Sequence, residues 1–300
     1  LNCVGNGRIL REGPFKEIWI QPASGDAGGA LGAALLAWYK YLGNKRQTNG
    51  KNNLQKASLL GPGYTDEYIE GFLSREKIAY KKLVQSDIAQ VVSDLISQQY
   101  VIGWFQGKME FGPRALGARS IIGDSRSQEM QSKMNLKIKY RESFRPFAPT
   151  VLKEEASKWF ELNQESPYML LVAPVNQEKI IPESLKEKAL GFNQLKVKRS
   201  LIPAVTHVDY SARVQTISRE DNPLYYDLIN AFYKKTGCPV IINTSFNVRG
   251  EPLVCSPEDA FRCFMRTEMD YLMMGNFLLN KKDQKPLEND IKWQQVFELD

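Results

Sequence analysis

The sequence predicts an α/β fold, because short apolar segments typical of strands alternate with segments of helical periodicity. The clearest strand candidates are residues 100–105 and 239–242, each a short apolar run beside polar residues. The clearest helix candidate lies between positions 88 and 96, where apolar residues recur at spacings of three and four. At 300 residues, the chain is long enough for two domains.

Local start signals support several of the other predicted elements. Thr65 and Ser256 are suitable N-caps, and Pro223 suits the first turn of a helix. The remaining predicted elements, in chain order, are strands at 1–5 and 18–20, a helix ending near Leu42, a polar loop at 43–56, a helix at 65–73, strands at 168–175 and 202–208, and helices at 223–236 and from 256 onward.

The composition is that of an ordinary globular protein, with 43% hydrophobic and 25% charged residues. No apolar run approaches the roughly 18 residues of a membrane span, and we expect neither a membrane segment nor a secretory signal. The four cysteines are scattered without a Cys-x-x-Cys pair, which favours a reducing, cytoplasmic location. Because the chain starts without Met, within a predicted strand and glycine turn, we expect a fragment that lacks an N-terminal half.

The segment 103–149 combines many basic residues with Gly and Pro, and we expect it to form a pocket for an anion. Arg presents a fixed fork of donors that matches phosphate or carboxylate. A single Arg is usually a solvated surface charge, but a cluster next to Gly and Pro favours a binding pocket. Since these residues do not follow one helical face, small anions suit the net charge of +6 better than nucleic acid does. The basic candidates are Lys108, Arg114, Arg119, Lys139, Arg141 and Arg145.

A glycine-rich segment between a predicted strand and a helix is a second candidate site. Gly25, Gly28 and Gly29 would let backbone N–H groups approach a phosphate at the helix N-terminus. Asp26 could ligate a metal on that phosphate. The alternative is a tight turn in which Asp26 caps the helix, since glycine loops are weak signals.

The remaining candidate site residues lie in two polar regions further along the chain. Asn243, Thr244, Ser245 and Asn247 follow an apolar strand, and ligands of open α/β sheets bind at the carboxyl ends of strands. The alternative is a polar turn. His207, the single histidine, is either structural or a ligand contact beside Arg213, and one histidine cannot form a histidine-rich metal site.

Five motifs, taken together and in this order, resemble the nodulation-type O-carbamoyltransferases, a family that carbamoylates antibiotics and nodulation factors. The resemblance covers nearly the whole chain and implies an enzyme. The motifs are residues 1–7, 25–34, 110–120, 144–149 and 243–247.

The resemblance implies two modules and a tail. Residues 1–85 resemble the end of an actin/Hsp70-like (ribonuclease H-like) carbamoyl-transfer domain. Residues 86–282 resemble a YrdC-like α/β domain with a twisted mixed sheet, and residues 283–300 form a polar tail. In the first module, Asp26 would complete a site for a divalent metal such as iron with histidines from the absent N-terminal half. The family also suggests a homodimer.

The resemblance further implies a two-step chemistry. Carbamoyl phosphate and ATP with Mg²⁺ would give carbamoyl-adenylate, whose carbamoyl group then passes to a small-molecule or glycan hydroxyl. Lys139 and Arg141 match a Lys-x-Arg signature, although Glu142 follows where the signature has proline. The implied roles are phosphate binding by Lys139, Arg141 and Arg145 with help from Arg114 and Arg119, nucleotide binding by Asn243, Thr244, Ser245 and Asn247, and orientation of the carbamoyl end by His207 and Arg213.

Two other hypotheses stay open. Related YrdC-like domains favour RNA, so the chain could be an RNA-binding module without catalysis of its own. RNA binding would be steeply salt-dependent and insensitive to carbamoyl phosphate. The chain could also be a folded fragment that is silent in transfer, because the metal-binding histidines are not in it.

Overall fold

A computed structural model describes residues 1–47, 55–185 and 191–287. Within these ranges nine strands form one sheet. The strands are β1 (Lys81–Lys82), β2 (Ile102–Phe105), β3 (Arg119–Asp124), β4 (Ala148–Leu152), β5 (Leu171–Pro174), β6 (Ser211–Ile217), β7 (Val240–Ser245), β8 (Tyr271–Met274) and β9 (Phe277–Asn280).

The sheet is mixed, which confirms the predicted α/β class. Its strand order is β1-β9-β8-β2-β3-β7-β4-β6-β5. The pairs β2–β8 and β4–β6 are parallel, and the other neighbouring strands are antiparallel. The strands predicted at 100–105, 168–175 and 239–242 correspond to β2, β5 and β7.

Eight α-helices accompany the sheet in the described ranges, and short 3₁₀ turns connect several elements. The helices are α1 (Cys3–Glu12), α2 (Asp26–Leu36), α3 (Asp66–Arg75), α4 (Ile88–Ser97), α5 (Met130–Lys137), α6 (Ala156–Trp159), α7 (Pro223–Thr236) and α8 (Pro257–Met265). A π-helical turn, Ala37–Tyr41, extends α2, so that the apolar helix predicted to end near Leu42 is confirmed.

The predicted helix starts are confirmed by their caps. The Thr65 side chain accepts from the backbone N–H of Tyr68 at the start of α3. Helix α8 begins with a capping box in which Ser256 and Asp259 satisfy each other's backbone N–H groups. Helix α7 has Pro at its first position and ends at Gly237, whose φ of 73° suits the left-handed C-terminal cap.

The core lies between the sheet and the helices packed on it. Helices α4 and α7 pack on each other and on the central strands, and Ile88, Val92 and Ile96 of α4 are buried as the periodicity predicts. Helix α3 packs with α8, and its Ile69 and Leu73 join the same core. Helix α3 and strand β1 thus adjoin the sheet although both precede residue 86, and the predicted boundary at 85/86 stays a prediction.

Three predicted strands are wrong. Residues 3–5 begin α1, because the side chain of Asn2 caps this helix by accepting from Gly5 N at 3.0 Å. Residues 18–20 pair with no strand among the described residues, and Trp19 is 78% exposed. Residues 202–208 contain the 3₁₀ turn Pro203–Val205, since Pro203 has no N–H to donate to a neighbouring strand.

Part of two predictions lies outside the described residues. The loop predicted at 43–56 includes residues 48–54, and the tail predicted at 283–300 includes residues 288–300. Among the described helices, none is both long and apolar enough to cross a lipid bilayer.

Gly117 provides a test of the packing between the loop before β3 and helix α7. Its φ is +105°, and a Cβ there would overlap the ring of the buried Tyr225. Gly117→Ala should therefore lower the free energy of unfolding by about 3 kcal/mol, measured by urea denaturation. Gly71→Ala is the matched control: Gly71 lies in α3 with open space around its Cβ position. There the same substitution should stabilise the protein by up to about 1 kcal/mol, and equal effects at both sites would contradict this packing.

Candidate active site

A cavity of about 230 Å³ opens at the carboxyl end of β7. Polar and basic side chains from four separate segments reach it, because β4 pairs with β7 and β6 lies on the far side of β4. Its lining consists of Pro113, Arg114, Ala115, Arg141, Pro146, Phe147, Ala148, Met169, Arg213, Asn243, Thr244 and Ser245. The structure therefore brings together six of the predicted site residues: Arg114, Arg141, Arg213, Asn243, Thr244 and Ser245.

Glu110 shapes the loop that carries Arg114. This carboxylate is 3% exposed, and its Oε1 accepts from the backbone N–H groups of Leu116 (2.7 Å), Ala118 (2.8 Å) and Arg119 (3.3 Å). Burying a carboxylate costs free energy unless it is hydrogen-bonded, so these three hydrogen bonds hold the loop in its conformation. Sequence analysis gave Glu110 no role, although it is the single acid among the Gly, Pro and Arg residues of 110–119.

Arg114, Arg141 and Arg213 place three guanidinium groups around the cavity. Among the described residues, no carboxylate lies within ion-pair distance of any of them, and the Nε atoms of Arg114 and Arg213 are buried without a partner. Arg141 donates through Nε to Asn135 Oδ1 at 2.7 Å and lies over the ring of Phe147. Three cations around one cavity, unpaired with carboxylates of the described residues, are chemically suited to a multiply charged anion.

The pKa values of Arg141 and Arg213 are lowered first by burial and then by neighbouring positive charges. Burial, followed by the nearby charges of Arg145 and Arg213, lowers the pKa of Arg141 to about 10. Burial and the neighbouring Arg114 also lower the pKa of Arg213. A guanidinium keeps its charge at neutral pH in proteins, so an anion that enters the cavity relieves the mutual repulsion of the arginines.

Lys139 lies behind the cavity wall rather than in its lining. Its Nζ donates to the backbone oxygens of Ser245 (2.7 Å) and Asn247 (2.8 Å), and contacts Ser245 Oγ (3.1 Å) and Asn247 Oδ1 (2.6 Å). Burial, and then the charge of Arg141, lowers the pKa of Lys139 to about 7. Lys139 thus fixes the end of β7, and through it the position of Ser245.

A buried polar network holds Asn243 beneath the cavity. Its Nδ2 donates to Ala115 O at 3.1 Å and to Gln215 Oε1 at 2.7 Å. Gln215 in turn accepts from Thr150 Oγ1 at 2.7 Å, and Tyr225 donates to the same hydroxyl at 3.2 Å. This network ties β7 to β4 and β6, so the cavity rests on rigid strands. Sequence analysis did not predict Gln215, Thr150 or Tyr225, because these residues meet only across the sheet.

Three predicted site residues lie away from the cavity lining. Arg119 is fully buried under Phe105, where its guanidinium donates to the carbonyls of Pro62, Gln106, Gly107 and Ala118. Arg145 is half-exposed and pairs with Glu142 at 2.9 Å. His207 is also partly exposed, and its Nδ1 lies 3.0 Å from Asp209 Oδ1. The bonding of Arg119 is that of a structural residue.

The glycine segment forms the start of α2, as predicted, but none of its residues lines the cavity. The turn before it packs on the loop of the cavity, since Gly112 lies against the backbone of Pro22 and Ala23. Gly28 has no room for a Cβ next to the carbonyl of Ala23, whereas Gly25 and Gly29 have open space around them.

Asp26 is exposed at the first position of α2. Within the described parts of the chain, no cluster of three or more His, Cys, Asp or Glu side chains could hold a metal ion. The residues present therefore do not by themselves fit the metal site implied for Asp26.

The fold and the site together define an α/β protein with an arginine-lined cavity. Two family models match the chain: the carbamoyltransferase C-terminus over residues 93–281 and the carbamoyltransferase N-terminus over residues 1–35. The chain therefore belongs to the carbamoyltransferase family of enzymes, and the resemblance predicted from its motifs is confirmed.

Similar curated proteins agree with this membership. The uncharacterized protein sll1178 of Synechocystis is 57% identical over 100% of this chain and 49% of its own length. Nodulation protein NolNO of Sinorhizobium fredii is 40% identical over 95% of this chain and 39% of its own length. The 3'-hydroxymethylcephem-O-carbamoyltransferase of Streptomyces clavuligerus is 30% identical over 92% of this chain and 46% of its own length. The chain thus spans about half the length of these relatives, or less.

Among solved structures, full-length HypF in its phosphate- and nucleotide-bound form is distantly similar. Its TM-score is 0.42 at 16% identity, and the match covers 71% of this chain and 23% of that chain.

Lys139 gives a test by pH dependence. Its pKa is about 7 in the folded protein, whereas an ordinary lysine titrates near 10.5. Between these values the unfolded chain binds more protons, so this residue's contribution to the free energy of unfolding rises with pH. Below pH 7 Lys139 is protonated in both the folded and the unfolded protein, so the full free-energy cost of burying its charge opposes folding. Wild type should therefore gain stability relative to Lys139→Met by about 1 kcal/mol per pH unit from pH 7 to 9, measured by urea denaturation.

Lys137→Met is the control for this experiment, because it removes a half-exposed lysine of the same segment that pairs with Glu268. The difference in free energy of unfolding between wild type and Lys137→Met should not change from pH 7 to 9. If the difference between wild type and Lys139→Met is also constant over this range, the lowered pKa of Lys139 is contradicted.

Substitutions of Arg119 and Arg141 should affect different properties. Loss of Arg119 should lower stability, whereas loss of Arg141 should weaken anion binding. Arg119→Met removes buried hydrogen bonds from a charged donor, so it should lower the free energy of unfolding by about 3 kcal/mol. It should leave the affinity of the folded protein for pyrophosphate within about twofold. Arg141→Met removes a cavity cation and should weaken pyrophosphate binding by about tenfold or more, measured by calorimetry. Equal effects of the two variants on binding would contradict the separation of their roles.

Proposed function

We propose that this chain binds carbamoyl phosphate and ATP at the arginine-lined cavity and forms carbamoyl-adenylate there. The observation that carries the proposal is the set of three guanidinium groups, from Arg114, Arg141 and Arg213, that line one cavity and pair with no carboxylate in the described part of the chain. Membership of the carbamoyltransferase family supports the choice of a carbamoyl-bearing anion. The YrdC-like character of this part of the chain belongs to the same proposal.

The chemistry consists of two bond exchanges. Cleavage of carbamoyl phosphate by water gives carbamate and inorganic phosphate. A carbamate oxygen then attacks the α-phosphorus of ATP, the bond from that phosphorus to the bridging oxygen breaks, and pyrophosphate leaves with the electron pair. Negative charge increases on the phosphoryl oxygens as this bond breaks, and fixed cations in a site of low water content stabilise that charge.

The geometry supports distinct roles for the residues at the cavity. Arg114, Arg141 and Arg213 would bind the phosphoryl oxygens and stabilise the developing charge. The hydroxyls of Thr244 and Ser245 would donate to the same oxygens from the carboxyl end of β7. Lys139 and Asn247 would act from behind by holding Ser245 in place, while Asn243 would keep β7 fixed to its neighbours. Arg145 and His207, which lie outside the lining, receive no role in this step.

The second step of the proposal is transfer of the carbamoyl group to an acceptor hydroxyl. The cephem relative is by name an O-carbamoyltransferase, which supports a hydroxyl acceptor, either on a small molecule or on a glycan. This step belongs to the longer protein, because the chain spans only about half of its relatives. Mg²⁺ would accompany ATP, whereas a metal at Asp26 would need ligands from outside this chain. A cytoplasmic location and a homodimer likewise stay predictions.

Formation of the adenylate can be tested with labelled ATP, Mg²⁺ and carbamoyl phosphate. We expect turnover of ATP to AMP products that depends on carbamoyl phosphate. Arg141→Ala should reduce it by at least about tenfold, because one of the three cavity cations is lost. Lys137→Ala, which removes an exposed cation from the same basic segment, is the matched control and should keep wild-type turnover.

The other outcomes separate the parts of the proposal. Thermal stabilisation by carbamoyl phosphate without turnover would support binding at the cavity and contradict adenylate formation by this chain alone. If carbamoyl phosphate causes neither turnover nor thermal stabilisation, the carbamoyl proposal is rejected. Steeply salt-dependent RNA binding in that case would favour an RNA-binding module instead.

A further inference from the structure

Asn135 is a polar side chain of α5 that lies fully buried behind Arg141. Its Oδ1 accepts from Arg141 Nε at 2.7 Å, and its Nδ2 donates to the carbonyls of Ser143 at 3.2 Å and Arg145 at 2.9 Å. Burying an amide costs free energy unless its donors and its acceptor are bonded, and here all of them are. Because these partners all belong to the segment 141–145, the Asn135 side chain holds the loop that leads to the cavity.

The backbone of Asn135 makes a fourth contact with this loop. Its carbonyl accepts from the backbone N–H of Arg141 at 3.0 Å, so one residue bonds both the main chain and the guanidinium of Arg141. The loop continues into Pro146 and Phe147, which line the cavity, and the Phe147 ring lies against the same guanidinium. Asn135 thus fixes both ends of the Arg141 side chain.

The contact with Asn135 leaves the rest of the guanidinium for a ligand. Arg141 lines the cavity, and its two terminal nitrogens make no hydrogen bond to the described residues. Two terminal nitrogens form the fork that binds phosphoryl oxygens bidentately. A cation that is already held at Nε loses less conformational entropy when an anion binds.

The acceptor that holds Arg141 is uncharged, unlike the acceptor that holds Arg126. The guanidinium of Arg126 pairs with the buried carboxylate of Asp124 at 2.7 Å, so its charge is satisfied within the protein. An amide oxygen accepts the same N–H without cancelling the positive charge. The charge of Arg141 therefore stays available to an anion, whereas a carboxylate in place of the Asn135 amide would compete with that anion.

Resting on the proposed function, we propose that Asn135 is a positioning residue of the cavity, whose neutral side chain holds the Arg141 guanidinium in the geometry that binds phosphoryl oxygens. Asn135 acts only through Arg141 and does not itself touch the ligand. Gln131, one turn earlier on α5, offers a comparison. It also donates to the carbonyl of Arg145, at 3.1 Å, but does not bond Arg141.

Binding of pyrophosphate to the full chain, measured by calorimetry, tests the inference. Asn135→Leu should weaken binding by about three- to tenfold, because a guanidinium that is no longer held must be ordered when the anion binds. Gln131→Leu is the matched control, since it removes hydrogen bonds to the loop and keeps the contact between Asn135 and Arg141. It should bind pyrophosphate within about twofold of wild type. Equal losses in the two variants would assign the effect to the loop alone and overturn the inference.

Two further variants distinguish positioning from a general loss of structure. In an Arg141→Met background, Asn135→Leu should cause no further loss of affinity, because the two residues act as one unit. Asn135→Asp keeps the size of the side chain but adds a negative charge that pairs with Arg141. At pH 8 it should bind pyrophosphate about tenfold more weakly than wild type, or worse. Equal losses with and without Arg141, or wild-type affinity in Asn135→Asp, would overturn the inference.

The Arg141 side chain also gives a readout that needs no ligand. A guanidinium Nε–H that is held by an acceptor is protected from exchange with water, so it gives a resolved signal in heteronuclear NMR spectra. We expect this signal in wild type, assigned by its absence from Arg141→Met. It should disappear in Asn135→Leu and persist in Gln131→Leu. The Nε–H signal of the fully buried Arg119 should persist in all of these variants and show that the fold is intact.

The NMR signal separates failure of this inference from failure of the proposed function. Absence of the Arg141 signal in wild type, or its persistence in Asn135→Leu, would overturn the inference whatever the binding results. If wild type shows the signal but binds neither pyrophosphate nor carbamoyl phosphate, the proposed function is rejected instead.

Discussion

The backbone around Arg114 takes its shape from one buried carboxylate. Glu110 gathers three N–H groups of the loop that follows it, and this loop supplies Arg114 and Ala115 to the cavity and Gly117 to the packing against α7. The same loop contacts the turn before α2 through Gly112. One carboxylate oxygen, bonded by three backbone donors, thus fixes the loop that brings Arg114 to the cavity.

The arginines of the cavity attract an anion, and they repel one another when no anion is bound. Three arginines line one cavity, and Arg141 is held there by its hydrogen bond to Asn135 and by the ring of Phe147. The energy of this like-charge crowding is released when an anion binds. Such a site favours ligands with several negative oxygens over singly charged ones, which agrees with a site for phosphoryl groups.

Sequence analysis predicted what depends on local chemistry. It found the caps of α3 and α8 and the periodicity of α4. The expectation that Arg114 and Arg141 share a site with Thr244 and Ser245 came from the family resemblance instead, and these residues line the same cavity. Sequence analysis failed where contacts distant in sequence decide the outcome. Whether an arginine faces a cavity or a set of carbonyls depends on its partners in space, so Arg119 could not be told apart from Arg141.

The misassigned strands have a related cause. A strand exists only where a neighbour pairs with it, and apolar residues at 18–20 have no such neighbour among the described residues. The same holds for the start of the chain, where the Asn2 cap produces a helix. The role of Glu110 was hidden for a third reason, since its partners are backbone groups, which no residue pattern reveals.

The two ends of the sheet are closed by different means. At one end, β1 is only two residues long and consists of Lys81 and Lys82. At the other, α1 covers the carbonyl of Val172 in β5 through Arg11 and that of Leu170, just before β5, through Asn6. Open sheet edges are templates on which another polypeptide can add a strand, whereas short charged edges and covered edges resist this. Helix α1 therefore protects the protein from edge-to-edge aggregation, and its loss would expose a strand capable of recruiting other chains.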